Sequence, residues 1–393
     1  MVSKLGSRAR VTTIACVLVA ALAVAACDPV PSGGGVNPLT CLPRVTSAAD
    51  YQRAFDQRGP VWSGGDGAVP VALPDGRTLW MFADTELGAV VNNRFVAPQS
   101  FVHNTFIVQT GTCFQPFVGG SAARPTEWFR NPAPGQYYWP ASAVVDPSSR
   151  TLHVFLLLVV NVPGVAEWGF KTIGTRVATL SLPDLRVQSV SALPLPTAAG
   201  SPLYGSGAVV SGGYTYVYGN RQIATGWLPL GEEYVARVAA NVTGAWQYWD
   251  GTGWSANATD AAPMTFLRAD ASVDDPPVAG LTVIPYGSGW LASAKRGEII
   301  SDDVTAWYSS SLTGPWSPVN LPDGRVATTV TDNAVNQFSY NGRVVVLPGS
   351  GPTVVYSVNT TNGPAKRLDA HLYGPRFATP VGLPAPDSLA ARH

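Results

Sequence analysis

Short segments in which hydrophobic and polar residues alternate recur along the chain, and they come in pairs joined by turn residues. Five such pairs lie at residues 68–83, 143–157, 207–218, 281–294 and 336–347. A period of two indicates antiparallel strands, and Pro-Asp-Gly, Ser-Gly-Gly and Asn341-Gly342 are typical hairpin turns. Helical periodicity is almost absent, and residues 47–55, with Ser47 as N-cap, form the best candidate helix.

Further strand candidates follow most of these pairs, at residues 106–110, 175–181, 234–238 and 353–358. Each repeat of about 50 to 75 residues therefore predicts one antiparallel sheet, which buries its faces against its neighbours. We expect an all-β fold, a five-bladed β-propeller over residues 41–384 with a tail at 385–393. A β-sandwich is the second choice, because it would show more even strand spacing and no repeating hairpin.

The first hairpin predicts its own register. Leu73-Pro-Asp-Gly-Arg77 is a three-residue loop with a bulge, so Leu73 pairs with Arg77. Counting outward from that pair along an antiparallel ladder brings Asp66 opposite Asp84, with their Cβ atoms about 5 Å apart. Two carboxylates so placed repel and raise one pKa. The pair indicates a site for acid/base chemistry or for a cation such as calcium.

Other candidates for the same site come from neighbouring strands and loops. In a propeller the ends of the innermost strands line the ligand site; Asp66 lies at such an end, and His103 and Asn104 are expected close by. Opposed carboxyl groups suit glycoside hydrolysis, which needs an acid and a base or nucleophile. Glu233 and Asp274 rank first as further catalytic carboxylates, because each directly precedes a predicted strand. The sequence does not choose among the remaining acids, which include Glu232, Asp275, Glu298, Asp302, Asp303 and Asp332.

Aromatic and basic residues complete the candidates. The chain has 12 Trp, which suit a large β core and a sugar-stacking surface, and Trp139 and Tyr204 are the candidate substrate-binding aromatics. Arg237 interrupts an apolar strand within Tyr-Val-Ala-Arg-Val. It either pairs with a buried carboxylate or points outward on an alternating strand.

Composition excludes several function classes. The chain has 393 residues, 40 Gly, 34 Pro and a formal net charge of zero, with only 13% charged residues. No Lys/Arg cluster lies in the mature region, so nothing predicts nucleic acid as a partner. No Gly-x-Ser-x-Gly elbow, phosphate loop or dinucleotide fingerprint occurs, which argues against serine hydrolases and nucleotide enzymes.

The N-terminus reads as a bacterial export signal. Three basic residues precede an apolar run from 11 to 26, and Ala25-Ala26-Cys27 resembles a lipobox, so residues 1–26 are predicted to be removed and Cys27 lipidated. Cleavage after Ala25 and an uncleaved anchor are the alternatives. Residues 27–40 would be a tether, and the protein would lie on the outer face of the membrane or be secreted.

The cysteine count fits an oxidising compartment. Cys16 leaves with the signal and Cys27 is lipidated, so a Cys41–Cys113 disulfide is the simplest prediction. It would join the N-terminal segment to the third strand of the first sheet. Two Cys and four scattered His offer no zinc spacing, and no cofactor is expected.

Several motifs together are similar to a known family. They include Gly65-Asp-Gly-Ala68, Phe82-Ala-Asp-Thr85, Tyr138-Trp-Pro140, Tyr234-Val-Ala-Arg-Val238 and Tyr373-Gly-Pro-Arg-Phe377. From about residue 62 to 377 the chain resembles domain of unknown function 4185, whose members are assigned as endo-D-arabinanases of glycoside hydrolase family 183. The resemblance implies a five-bladed propeller, export, cleavage of D-arabinofuranose chains, and Asp66 and Asp84 as catalytic residues. Ala83 stands in place of Gly, and Ala141-Ser142 stand where similar proteins carry Gly-Asp.

Two hypotheses about function follow. The first is a monomeric, envelope-anchored glycoside hydrolase acting on an arabinan-type polysaccharide. The rival is a non-catalytic propeller that binds envelope glycan or scaffolds other proteins. A lyase, or a hydrolase of another sugar, is a third and weaker reading.

Overall fold

The computed structural model describes residues 40–59, 61–121, 124–146, 148–163, 169–196, 200–222, 231–274, 280–320 and 322–386. Within them the protein is mostly β. The predicted signal segment, Cys27, the tether up to residue 39 and the tail from residue 387 lie outside the described residues. No helix in the described part of the chain is long and apolar enough to cross a membrane.

Five antiparallel sheets carry most of the described strands. Sheet 1 has β1 (Thr40–Cys41), β3 (Val69–Ala72), β4 (Thr78–Phe82), β7 (Thr105–Thr110) and β8 (Cys113–Phe117), in the order β1-β8-β7-β4-β3. Sheet 2 has β11 (Gln136–Asp146), β12 (Thr151–Asn161), β13 (Phe170–Ser181) and β14 (Val187–Ala192), in chain order. Sheet 3 has β15 (Leu203–Ser211), β16 (Tyr214–Gln222), β17 (Gly231–Ala239), β18 (Gln247–Trp249) and β19 (Trp254–Ser255), also in chain order.

The last two large sheets follow the same plan. Sheet 4 has β22 (Thr282–Tyr286), β23 (Gly289–Lys295), β24 (Asp303–Ser309), β25 (Ser317–Pro318) and β26 (Arg325–Thr328). Sheet 5 has β27 (Gln337–Leu347), β28 (Gly351–Thr360) and β29 (Gly374–Ala378). Smaller sheets are formed by β2 (Trp62–Gly65), β5 (Thr85–Val91) and β6 (Arg94–Val102), by β9 (Gly119–Ser121) and β10 (Arg124–Thr126), and by β20 (Phe266–Leu267) and β21 (Val273–Asp274).

Five hydrophobic cores lie between consecutive large sheets. They join sheet 1 to sheet 2, sheet 2 to sheet 3, sheet 3 to sheet 4 and sheet 4 to sheet 5, and a fifth core joins sheet 5 back to sheet 1. The strand faces alternate, so each sheet gives one set of side chains to each neighbour. The five sheets therefore pack in a closed cycle.

The first helix closes the contact between sheets 5 and 1. Helix α1 spans Ala48–Asp56, and the hydroxyl of its N-cap Ser47 accepts a hydrogen bond from the backbone of Asp50, as the sequence predicts. Its buried face, which includes Tyr51 and Phe55, packs into the core that these sheets share. Helix α2 (Gly363–Leu368) follows β28.

The predicted register of the first hairpin is confirmed. The backbone N–H of Leu73 donates to the carbonyl of Arg77 at 2.8 Å, and Val69 pairs with Met81. The same register continues past the strand ends, where the backbone N–H of Asp66 donates to the carbonyl of Asp84 at 3.0 Å. A turn of five residues therefore places two carboxyl side chains side by side.

Two other expectations need correction. Cys41 and Cys113 are joined as a disulfide, but Cys113 begins β8, the fourth strand of sheet 1 after β1, rather than the third. Asn341-Gly342 is not a hairpin turn: β27 runs through it to Leu347, and these residues form a bulge between Tyr340 and Arg343. Asn341 has the positive φ of 54° that a hairpin turn would also need, so the local signal is the same for both structures.

Candidate active site

A cleft of about 1360 Å³ is lined by residues from all five large sheets or from the segments that flank them. Sheet 1 contributes the flanking residues Asp66 and Asp84, and β11 contributes Trp139. Strand β22 contributes Thr282 and β27 contributes Tyr340. The first strands of the sheets thus converge on one cavity, which is larger than the roughly 300–1,000 Å³ of an ordinary small-molecule pocket.

Bulges occur where three of these first strands reach the cleft. The register shifts at Ala141 in β11, at residues 205–206 in β15 and at residues 341–342 in β27. Ala141, Ser206 and Asn341 all line the cavity. A bulge bends a strand and changes the direction of the side chains that follow it. These three bulges therefore help to determine which side chains line the cleft.

Asp66 is buried, and its carboxyl group forms no ion pair with any of the described residues. It is 9% exposed, and the hydroxyl of Tyr340 donates to Oδ2 of Asp66 at 2.6 Å. Burial, together with the nearby charge of Asp84, raises the pKa of Asp66 to about 8, although the hydrogen bond from Tyr340 acts in the opposite direction. Asp66 therefore holds its proton at neutral pH.

Asp84 has a more polar environment than Asp66. Nε1 of Trp139 donates to Oδ1 of Asp84 at 2.7 Å, and Nδ1 of His103 lies 2.8 Å from the same oxygen. The His103 ring stacks on Tyr137, with 3.6 Å between ring centroids, which fixes its orientation. Oδ2 of Asp84 has no hydrogen-bond partner among the described residues, so it is available to a water molecule or a substrate.

Glu298 is a third carboxylate of the cleft, and the sequence did not single it out. It lies in a short 3₁₀ turn after β23, is 6% exposed, and its Oε2 accepts a hydrogen bond from the backbone N–H of Asn341 at 3.0 Å. The bulge of β27 therefore contacts Asp66 through Tyr340 and Glu298 through Asn341. Only the packing of sheet 4 against sheet 5 brings these segments together.

Glu233 lies behind the cleft wall. It is 2% exposed, and neither of its carboxyl oxygens has a hydrogen-bond partner among the described residues. Burial and the charge of Glu298 raise its pKa well above the ordinary value, which favours the protonated form. Its register partner Asn220 lines the cavity, but Glu233 does not.

Four predicted site residues lie elsewhere in the fold. The buried Asn104 amide binds the carbonyls of Phe129 and Tyr138, so it braces the backbone. Tyr204 lies in the core between sheets 2 and 3. The Arg237 guanidinium lies over the rings of Tyr214 and Trp254, at 4.3 and 4.2 Å. Arg237 therefore points outward from its strand and does not pair with a buried carboxylate of the described residues. None of these three lines the cavity, so their prediction as substrate-binding residues is corrected.

The fourth is Asp274, which forms a structural ion pair. Nη1 and Nη2 of Arg296 each lie 2.8 Å from its carboxylate oxygens, and Nε of Arg268 lies 3.3 Å away. Burial raises the pKa of Asp274, but hydrogen bonds and charge from the two arginines more than offset it, and the pKa is lowered. Asp274 is outside the cleft lining, so its prediction as a catalytic residue is corrected.

Ser142 lies at the position where the sequence resemblance leads us to expect an Asp. It is 5% exposed, and its hydroxyl donates to the carbonyl of Gly205 at 2.7 Å. The side chain thus links the bulges of β11 and β15. Ser142 therefore adds no carboxylate to the cleft.

The described residues include no group of three or more His, Cys, Asp or Glu side chains arranged to hold a metal ion. In the pair that the sequence predicts for calcium, one Asp66 oxygen accepts from Tyr340 and one Asp84 oxygen accepts from Trp139. These donors satisfy carboxylate oxygens that a cation would otherwise coordinate. A calcium ion between Asp66 and Asp84 stays a prediction.

Comparison with known proteins gives a family and a fold. A family model described as domain of unknown function (DUF5005) matches residues 48–379. No curated protein matches the chain. This match does not show the finer resemblance to domain of unknown function 4185, which stays a prediction.

Three solved structures illustrate the structural likeness. A candidate hydrolase from Bacteroides ovatus is 19% identical, covers 84% of this chain and 88% of its own, and has a TM-score of 0.66. A GH43_1 enzyme from Xanthomonas citri, complexed with xylose, is 12% identical over 84% of this chain and 92% of its own, with a TM-score of 0.49. A Cellvibrio cellulosa α-L-arabinanase complexed with arabinohexaose is 10% identical over 80% of this chain and 91% of its own, with a TM-score of 0.45. The first likeness establishes a shared fold, and the other two add nothing to it.

Proposed function

The chain belongs to the family described as domain of unknown function DUF5005, and from this premise and the geometry of its cleft we propose that it is a glycoside hydrolase. Its substrate would be an arabinofuranose-type polysaccharide of the cell envelope. The fold shared with a candidate hydrolase from Bacteroides ovatus agrees with the reaction class. The choice of sugar rests on the sequence motifs alone.

One observation carries the proposal: the two carboxyl groups of the cleft have different environments although their backbones are paired. Asp66 is buried with a pKa of about 8, whereas one oxygen of Asp84 holds two donors and the other is open to the cavity. Glycosidases need one carboxyl group that gives a proton and one that attacks or activates water. Asp66 suits the first role and Asp84 the second.

In the reaction, the carboxylic acid of Asp66 gives its proton to the leaving glycosidic oxygen as the bond to the anomeric carbon breaks. Oδ2 of Asp84 faces the developing positive charge, and it either bonds to the anomeric carbon or takes a proton from the attacking water. Trp139 and His103 hold the other oxygen of Asp84 and so orient the carboxylate. Glu298 adds a third acidic group to the same cavity.

The finer features of the proposal come from the sequence. The five sheets would be the blades of a five-bladed propeller, with the cleft at the centre where their first strands meet. Lipidation of Cys27 would hold a monomer at the outer face of the membrane, within reach of the polysaccharide. No cofactor enters the mechanism.

The test is release of oligosaccharides from arabinogalactan by the full-length protein, compared with Asp66→Asn and Asp84→Asn. We expect the wild-type protein to release oligosaccharides, and both variants to lose activity while retaining glycan binding, because the substitutions preserve size. If wild type and variants bind the glycan equally and none releases products, the protein is a glycan-binding module and the enzyme proposal is wrong. A panel of other glycans then distinguishes a different sugar specificity.

A further inference from the structure

Arg343 shares a face of sheet 5 with Tyr340, although the two residues are three positions apart. Tyr340 pairs with Ser357 and Arg343 with Val355, and these partners are two residues apart on β28. Residues two apart on a strand point to the same side, so the intervening bulge gives Tyr340 and Arg343 a common face. The hydroxyl of Tyr340 binds Asp66, and Arg343 lines the same cavity.

The guanidinium of Arg343 lacks an anionic partner in the described part of the protein. Among the described residues its one hydrogen bond runs from Nε to the carbonyl of Asn341 at 3.3 Å, and none of their carboxylates lies within ion-pair distance. Burial lowers the pKa of Arg343 to about 10, while the charge of Glu298 acts from farther away to raise it. Arg343 is therefore a cation at neutral pH, and neither of its Nη groups has a hydrogen-bond partner among the described residues, so both can bind a ligand.

Other buried arginines of this protein have partners for those groups. Arg296 forms two hydrogen bonds with Asp274, and Arg58 donates to the carbonyls of Ser63 and Tyr373. Arg376 donates to the carbonyl of His371 and lies 3.8 Å from Asp56. A half-buried cation without such partners is costly to maintain, and a ligand that supplies an anion removes the cost.

We propose that Arg343 binds an anionic group of the substrate, a sugar carboxylate or a sugar phosphate, next to the bond that is cleaved. The planar guanidinium presents two parallel N–H donors, which match either oxyanion. The proposal rests on the proposed glycosidase function and sharpens it: the polysaccharide carries acidic groups. The bulge places the anion site and the Tyr340–Asp66 contact on one segment of chain.

The test measures binding by full-length protein carrying Asp84→Asn, so that turnover does not interfere. The probes are a galacturonic acid oligomer, a neutral galactan oligomer of equal length, arabinose 5-phosphate against arabinose, and inorganic phosphate. We expect one of the acidic sugars to bind at least about 10-fold more tightly than its neutral counterpart, because hydrogen bonds to charged groups are strong. The preference should weaken as salt is added, and the two sugar arms distinguish carboxylate from phosphate.

Variants then assign the preference to Arg343. Arg343→Gln should lower affinity for the acidic sugar by about 10- to 100-fold and leave the neutral one unchanged. Arg343→Lys should retain part of the preference for the acidic sugar, since it keeps the positive charge but loses the two parallel N–H donors of the guanidinium. Arg325→Gln is the matched control, because Arg325 is 53% exposed and outside the cleft lining.

Equal affinity for acidic and neutral sugars, or no binding of either acidic sugar, would overturn the inference without any variant. So would a preference that Arg343→Gln leaves intact. Failure of the proposed function is a separate result: no glycan is cleaved, yet the acidic sugar binds through Arg343. Cleavage of neutral arabinan with an unchanged KM in Arg343→Gln would sink the inference and leave the proposed function standing.

Discussion

Asp66 and Asp274 are two carboxyl groups of nearly equal burial, at 9% and 7% exposure, yet their chemistry differs. Burial and the neighbouring carboxylate of Asp84 raise the pKa of Asp66 to about 8, against the hydrogen bond from Tyr340. Asp274 has Arg296 and Arg268, and its pKa falls. Burial alone therefore does not make a carboxylate reactive in this protein. The charge of the nearest partner decides whether the group keeps a proton or serves as an anchor.

The sharpest way to break this comparison is to replace both residues in the same way. Asp66→Asn and Asp84→Asn should each lower kcat on arabinogalactan by about 100- to 10,000-fold, the usual contribution of a general acid or base. Asp274→Asn should keep wild-type kcat per folded molecule. Loss of activity in Asp274→Asn with unchanged folding would mean that the ion pair takes part in the reaction.

At neutral pH we expect Asp274→Asn, which keeps activity, to lose stability. Asp274→Asn leaves Arg296 without its carboxylate, and we expect unfolding free energy to fall by about 2 kcal/mol, less than for a fully buried pair because Arg296 is 29% exposed. Urea unfolding measures the change. An unfolding free energy equal to that of the wild type would show that the pair contributes nothing net.

Removing one hydrogen-bond donor to Asp84 should lower kcat by less than removing the carboxylate itself. Trp139→Phe removes the N–H that binds Oδ1 and keeps the aromatic ring, so kcat should fall by about 10-fold while folding is retained. Trp128→Phe is the matched control, because Nε1 of Trp128 has no partner among the described residues. Equal losses in the two variants would point to packing rather than to orientation of Asp84.

The pH dependence of stability tests the raised pKa of Asp66 directly. Because the pKa of Asp66 is raised in the folded state, the unfolded chain loses this proton first, and stability falls as pH rises from about 4 towards 8. The Asp66→Asn side chain cannot ionise. The unfolding free energy of this variant minus that of the wild type should therefore increase by at least about 1 kcal/mol between pH 4 and pH 8. A difference that stays constant between pH 4 and pH 8 would contradict the raised pKa.

Local turn chemistry is sufficient to predict the Asp66–Asp84 pair. Pro74, Asp75 and Gly76 specify a hairpin loop, and an antiparallel ladder then determines every opposed pair from Leu73 and Arg77 outward. His103 and Trp139 are also found in the cleft. The same kind of reasoning fails at Asn341-Gly342, because a positive φ at Asn serves a bulge as well as a turn, and the flanking residues do not distinguish them.

The acidic residues beyond the first hairpin show what the chain alone leaves open. Glu298, Glu233 and Asp274 all lie near strand ends in the sequence, yet one lines the cleft, one lies behind its wall and one forms an ion pair. The alternation of the strands determines the sheets and their register, since those depend on neighbours along the chain. The cleft itself depends on which bulge of sheet 5 meets which turn of sheet 4, and only tertiary packing decides that contact.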